Sequence, residues 1–132
     1  PDTLIYREAE KPVPGDNEVL VRIHAAAVNA ADIRSMKMGA IPKRKIFGCD
    51  IAGEVEAAGK YISRFKAGDL VLGDISACGL GGFAEYVAVP ETSLVIKPAS
   101  VSFETAAAVP MSAVTALQGL RNLGMIKPGS KR

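Results

Sequence analysis

The stretch FGCDIAGEVEAAG at residues 47–59 decides the fold. Gly48 and Gly53 lie on either side of Asp50, and glycine at such positions lets chain segments approach closely or adopt a positive φ. The apolar and small residues Ile51–Val55 predict a buried strand. Asp50, at the mouth of that strand, is therefore either a site residue or the anchor of a turn.

The composition is that of one globular domain. The chain has 132 residues, 48% of them hydrophobic and 23% charged, with a net charge of +2. This charge is too small to predict a nucleic-acid partner, and no apolar run reaches membrane length, so we expect neither nucleic acid nor a membrane as a partner. Cys49 and Cys78 form no C-x-x-C pattern and no export signal is visible, which favours the cytoplasm.

Short alternating runs separated by Gly/Pro turns predict a mainly β fold, a small barrel or sandwich. The clearest run is Glu18–His24, in which every second residue is apolar. The apolar positions of the strands predict the buried residues Val19, Val21, Ile23, Ile51, Val55, Val71, Val87 and Ile96.

A few helices are predicted around these strands. Asn29 is a suitable N-cap for a short helix over Ile33–Met38, and Asp32 suits the positive end of its dipole. The following loop, Gly39–Lys45, carries three cations and is either solvated or phosphate-binding.

The last third of the chain changes to helical spacing. Ser102 is the predicted N-cap of a helical run that Pro110 interrupts, and Gly124 is its predicted C-cap. The chain begins at Pro1 without Met and stops at Arg132 without a closing element, so we expect it to be a piece of a longer protein.

The order of these motifs resembles the catalytic, GroES-like domain of the medium-chain dehydrogenase/reductase superfamily. The matching blocks cover nearly the whole chain: Glu18–Val21, Val28–Asp32, Gly48–Val55, Ala67–Val71, Gly81–Tyr86 and Lys127–Ser130. The resemblance implies a GroES-like partly open β-barrel with a C-terminal helical segment. It also implies a Rossmann cofactor domain beginning after residue 132, and no G-x-G-x-x-G occurs within residues 1–132.

In the zinc alcohol dehydrogenases of that superfamily, three protein ligands hold a catalytic metal. Their positions fall here on Asn29, Cys49 and Met111, of which only Cys49 could bind zinc. This pattern resembles the zinc-free quinone oxidoreductase branch. The resemblance implies reduction of a quinone, enone or related carbonyl by hydride from NADPH or NADH, without zinc.

The resemblance also implies roles for six residues, which we expect to line one cleft. Asn29 and Asp32 are the expected catalytic residues, and Asn29, Met111 and Thr115 are expected to approach the cofactor. Cys49 and Asp50 are expected to support them. The loop Gly39–Pro42 lacks the tyrosine of many zinc-free relatives, so the proton is expected to come from water.

Two other functions remain open at this point. One is a metal-dependent alcohol dehydrogenase that uses Cys49 with unusual partners, and the other is a GroES-like binding or assembly module without chemistry. The expected partner is a small carbonyl or quinone substrate, and the full-length enzyme is expected to be a homo-oligomer. The isolated chain is expected to be nearly inactive, since the cofactor domain is missing.

Overall fold

A computed structural model describes residues 4–127 and 129. Within these residues, five antiparallel strands form one sheet that does not close on itself, which confirms the predicted mainly β, partly open fold. The strands are β1 (Glu18–Ala27), β2 (Asp50–Ala58), β3 (Leu70–Asp74), β4 (Tyr86–Pro90) and β5 (Val95–Ile96). Their order across the sheet is β4-β1-β2-β3-β5, so the two longest strands lie at its centre.

The register of the central strands determines what meets at their ends. β1 runs antiparallel to β2, and its last residue, Ala27, lies opposite Asp50, the first residue of β2. On the other side of β2, Asp50 lies opposite Asp74 at the end of β3. The chain segment that follows β1 therefore begins beside Asp50.

The core lies on one face of the sheet. Six of the eight predicted core residues are buried: Val19, Val21, Ile51, Val55, Val71 and Val87. Ile23 is only partly buried, although it packs against this core. The prediction for Ile96 was wrong, because its side chain is 56% exposed. β5 is a two-residue edge strand, and Leu94, which precedes it, contributes the buried side chain instead.

In the described part of the chain, three α-helices flank the sheet: α1 (Ala30–Lys37), α2 (Phe103–Ala107) and α3 (Pro110–Gln118), the last continued by a π-helical turn, Gly119–Leu123. The predicted caps Asn29, Ser102 and Gly124 are confirmed, and Pro110 opens α3 as expected. The first helix starts at Ala30, three residues before the predicted Ile33, because Asn29 caps it directly.

Candidate active site

The candidate site lies where β1 ends, α1 begins and β2 begins. Two residues separate β1 from α1, and the second of them is Asn29. Since Ala27 lies opposite Asp50, Asn29 reaches the start of β2 across a separation of 21 residues in sequence. The antiparallel register therefore brings together side chains that the sequence keeps apart.

Asp50 is the centre of this arrangement and is fully buried. Its Oδ2 accepts a hydrogen bond from Nδ2 of Asn29 at 3.2 Å. The backbone N–H of Met111, in the first turn of α3, donates to both carboxylate oxygens, at 3.2 Å to Oδ1 and 3.1 Å to Oδ2. Asp50 thus connects the sheet to the starts of two helices.

Burial raises the pKa of Asp50 above its ordinary value of 3.8. The hydrogen bonds from Met111 and Asn29 oppose this rise, because they stabilise the carboxylate. The charges of Asp74 and Asp32 add to it by repulsion. Asp50 is therefore a carboxylate whose proton affinity depends on the donors around it.

Asp32 and Cys49 form a second buried pair beside Asp50. The Sγ of Cys49 donates to Oδ1 of Asp32 at 3.1 Å, and Oδ2 of Asp32 accepts from the backbone N–H of Asn29 at 2.9 Å. Burial, and then the Asp32 hydrogen bond and charge, raise the pKa of Cys49 to about 12. Cys49 is therefore a protonated thiol near neutral pH.

Five of the six predicted site residues form one connected network of hydrogen bonds: Asn29, Asp32, Cys49, Asp50 and Met111. Thr115 is exposed on α3, four residues after Met111 and so on the same helix face. Its side chain makes no hydrogen bond to the other five among the residues described here. The chemical roles expected of all six stay predictions.

Comparison with known proteins identifies the family of the domain that contains this hydrogen-bond network. A family model described as "Alcohol dehydrogenase GroES-like domain" matches residues 15–99. The chain belongs to that family. The expected resemblance to the medium-chain dehydrogenase/reductase superfamily is confirmed.

Relatives of this GroES-like domain include quinone oxidoreductases. The chloroplastic quinone-oxidoreductase homolog of Spinacia oleracea is 37% identical over 131 residues, covering 96% of this chain and 40% of that protein. The Pseudomonas syringae pv. Tomato DC3000 quinone oxidoreductase superposes with a TM-score of 0.84 at 35% identity, covering 95% of this chain and 38% of that one.

The Escherichia coli quinone oxidoreductase, solved in complex with NADPH, superposes with a TM-score of 0.77 at 30% identity. The match covers 95% of this chain and 37% of that one. The GroES-like domain therefore spans about two fifths of the length of the proteins that it matches.

Gly48, in the glycine motif at residues 47–59, shapes the backbone next to the site. Gly48 has a φ of 101°, and a Cβ atom there would lie 2.6 Å from the backbone nitrogen of Phe83. The loop at residues 82–83 is hydrogen-bonded to this point, since the N–H of Gly82 donates to the carbonyl of Gly48 at 3.0 Å. Gly48 therefore allows a second loop to pack immediately before Cys49.

Sequence reasoning missed the role of Arg44, which lay inside a run of cations. Its half-buried guanidinium donates to the backbone carbonyls of Cys78, Leu80 and Ala88. Leu80 has a φ of 63°, in the left-handed region, within the loop that Arg44 holds. Because the Arg44 guanidinium is hydrogen-bonded to these carbonyls, only Lys43 and Lys45 of the three loop cations remain candidates for binding a phosphate.

The single histidine lies outside the network. The ring of His24 stacks on Phe103 with centroids 4.3 Å apart, and its Nε2 is 3.9 Å from Oε2 of Glu54. Among residues 4–127 and 129, no three His, Cys, Asp or Glu side chains are arranged to hold a metal ion. Within the same residues, no helix has the length and apolar character needed to cross a membrane.

Proposed function

We propose that this domain is the catalytic part of an NADPH- or NADH-dependent oxidoreductase that reduces quinones, enones or related activated carbonyls by hydride transfer, without zinc. The proposal rests on the hydrogen bond that holds the side-chain amide of Asn29 against the carboxylate of Asp50. An asparagine amide has two N–H donors, and the contact with Asp50 uses one of them. The second is available to stabilise negative charge that develops on a substrate oxygen.

Asn29 is well fixed for such a role. Its side chain is held by Asp50, and its backbone N–H is held by Asp32. A donor that is oriented before the reaction stabilises charge without the cost of reorganisation at the moment of transfer. The donor's position therefore depends on both buried carboxylates.

The chemistry of the three zinc-ligand positions supports a site without zinc. Zinc is held by thiolate, imidazole or carboxylate groups, and a ligand must be deprotonated to bind. The thiol of Cys49 donates a hydrogen bond to the buried carboxylate of Asp32. Asn29 and Met111 offer an amide and a thioether, so the three positions do not fit a catalytic zinc.

The helix α3 presents the residues expected to meet a nicotinamide. Met111 is half-buried and tied to Asp50, and Thr115 is exposed one turn further along the same face. When bound, the reduced nicotinamide would supply the hydride, that is, one proton together with two electrons. The chain's own residues orient the substrate carbonyl, stabilise its oxygen and admit the one proton that completes the reduction.

We propose water as the source of that proton. The Cys49 thiol is too weak an acid at neutral pH to supply it readily. Asp32 and Asp50 are both engaged by donors, so they orient the site and do not deliver protons in this mechanism. The expectations of a cytoplasmic location and a homo-oligomer stay predictions.

Turnover by the full-length protein tests the proposal. We expect oxidation of NADPH or NADH in the presence of a simple quinone or enone, at a rate that a zinc chelator leaves unchanged, and less than one zinc per chain by metal analysis. Stoichiometric zinc with loss of activity on chelation would support the metal-dependent alcohol dehydrogenase instead. Absence of any turnover with these substrates would favour the binding module. The 132-residue chain alone is expected to be nearly inactive.

A further inference from the structure

Positive charge is concentrated in one segment of the domain. Residues 33–48, here called the cationic segment, contain Arg34, Lys37, Lys43, Arg44 and Lys45 and no Asp or Glu. The whole chain has a net charge of +2, so the residues outside this segment sum to −3. The cationic segment is therefore opposite in sign to the net charge of the rest of the chain.

Both ends of the cationic segment lie at the candidate active site. It begins directly after Asp32 and ends directly before Cys49, and these two side chains are hydrogen-bonded at 3.1 Å. Lys45 is four residues from Cys49, which places their Cα atoms at most about 14 Å apart. Arg34 is two residues beyond Asp32, a rise of about 3 Å along α1. The backbone of the segment thus leaves the site after Asp32 and returns to it at Cys49.

Four of the five cations are free to interact with another molecule. Arg34, Lys37, Lys43 and Lys45 are exposed, and within residues 4–127 none of them makes an ion pair or a side-chain hydrogen bond. Arg44 differs, because its guanidinium is bound to three carbonyls and fixes the segment to the loop beyond Cys78. The segment is therefore anchored by Arg44, while its four other cationic side chains remain available for an anionic ligand.

The inner end of the site, here called its base, is formed by acidic side chains rather than cations. Asp32 and Asp50 are fully buried there, and Asp74 is close enough to raise the pKa of both Asp50 and Cys49 by its charge. An anionic group is disfavoured at this base and favoured at the cationic segment. A substrate with both a carbonyl and an anionic group is thereby oriented with the carbonyl inward.

Resting on the proposed function, we infer that the substrate is an activated carbonyl compound whose anionic group, a carboxylate or a phosphate, is separated from the reacting carbonyl by a spacer. The carbonyl meets Asn29, and the anionic group meets Lys43 and Lys45. The cofactor also carries phosphates, so the test includes an arm that separates substrate from cofactor.

The experiment uses the full-length enzyme and three benzoquinones with side chains of equal length, ending in a carboxylate, an amide or a trimethylammonium group. At low ionic strength, kcat/KM for the carboxylate should exceed that for the amide by about tenfold, with the trimethylammonium compound lowest. The preference should shrink as salt shortens the Debye length to about 10 Å at 0.1 M. Equal values for the three quinones would overturn the inference.

Two charge-matched variants locate the effect. Lys43→Glu/Lys45→Glu should abolish or reverse the preference, whereas Arg7→Glu/Lys60→Glu, with the same change in net charge on exposed side chains outside the segment, should retain it. Equal loss in both variants would show that only net charge matters, which contradicts the inference. Lys43→Gln/Lys45→Gln, checked by its unfolding midpoint, guards against misfolding of the first variant.

Measurement of cofactor binding separates a role of the segment in substrate binding from a role in cofactor binding. The KM values for NADPH and NADH should be the same in the two glutamate variants. A rise in cofactor KM confined to Lys43→Glu/Lys45→Glu, with the quinone preference unchanged, would assign the segment to a cofactor phosphate and overturn the proposal.

The proposed function and the inference fail in different ways. Reduction of the amide quinone without any charge preference leaves the function intact and rejects the inference. If no quinone is reduced, the function fails, and NMR titration with the carboxylate quinone in the absence of cofactor decides the inference. Shifts of the amides of residues 43–45 would support it, and an unchanged spectrum there would reject it.

Discussion

The central sheet and helix α3 meet at the same carboxylate but are held in different ways. On the sheet side, Ile51 and Val55 are buried in a continuous apolar core next to Asp50. On the helix side, only Pro110 of α3 is buried, and Leu117 and the following Leu120 are about half exposed. The sheet is fixed by apolar burial, whereas the start of α3 is fixed by two hydrogen bonds from Met111 to Asp50. Disturbing Asp50 should therefore affect α3 far more than the sheet.

Truncation of one aliphatic side chain on each side should show the largest contrast. Ile51→Ala is expected to lower the free energy of unfolding by about 2–5 kcal/mol, because it leaves a cavity in a packed core. Leu120→Ala is expected to change it by no more than about 0.5 kcal/mol, since that side chain is already 53% exposed. Urea unfolding of both variants measures the difference, and similar losses would contradict the description of the two regions.

A second contrast concerns two neighbouring cations. Arg44→Ala should cost about 1–3 kcal/mol, because it removes donors from three backbone carbonyls. Lys43→Ala is the matched control, and its effect should stay within about 0.5 kcal/mol, since Lys43 is exposed. Thermal or urea unfolding decides between them. Equal effects would show that the loop beyond Cys78 does not depend on Arg44.

The site should also respond to pH through Asp50. Burial raises its pKa in the folded protein, so the folded state binds the proton more tightly than the unfolded chain does. The wild type should therefore lose stability relative to Asp50→Asn as pH rises from the ordinary aspartate pKa of 3.8 through the raised value. Unfolding curves for both proteins across this window provide the measurement. A difference that does not vary with pH, or that varies with the opposite sign, would contradict the raised pKa.

The smallest effect is expected at Cys49. Its thiol is 3% exposed and has a pKa of about 12, so a maleimide at pH 8 should leave it unmodified in the folded protein. Cys78, which is only half-buried, provides the internal comparison by mass spectrometry. Both cysteines should react after denaturation. Rapid labelling of Cys49 in the folded protein would indicate a reactive thiolate and reopen the zinc alternative.

Sequence patterns predicted the parts of the fold that depend on local periodicity and caps. The alternation of Val19 and Val21 located β1, and Asn29 and Ser102 located two helix starts. Ile96 was misassigned because alternation cannot show that a strand is a two-residue edge, where one face remains open to solvent.

The candidate site was predictable only in part. The resemblance to a known family selected its residues, but their contacts depend on the β1–β2 register and on the placement of α3, which connect residues 21 and 61 positions apart. Arg44 left no signal in the sequence, because its partners are backbone carbonyls, which any residue can provide.

The central claim is that Asn29 acts through its side-chain amide and not only as the cap of α1. Asn29→Ser in the full-length enzyme separates the two roles, because serine is as good an N-cap as asparagine but has no amide. We predict that the variant stays folded and that its free energy of unfolding falls by about 1–3 kcal/mol, because the buried carboxylate of Asp50 loses the donor of Asn29. We also predict a fall in kcat/KM, for this variant and for Asn29→Ala, of roughly tenfold to a thousandfold, the scale for loss of a transition-state donor. An unchanged kcat/KM in both variants would leave Asn29 as a helix cap and contradict the account.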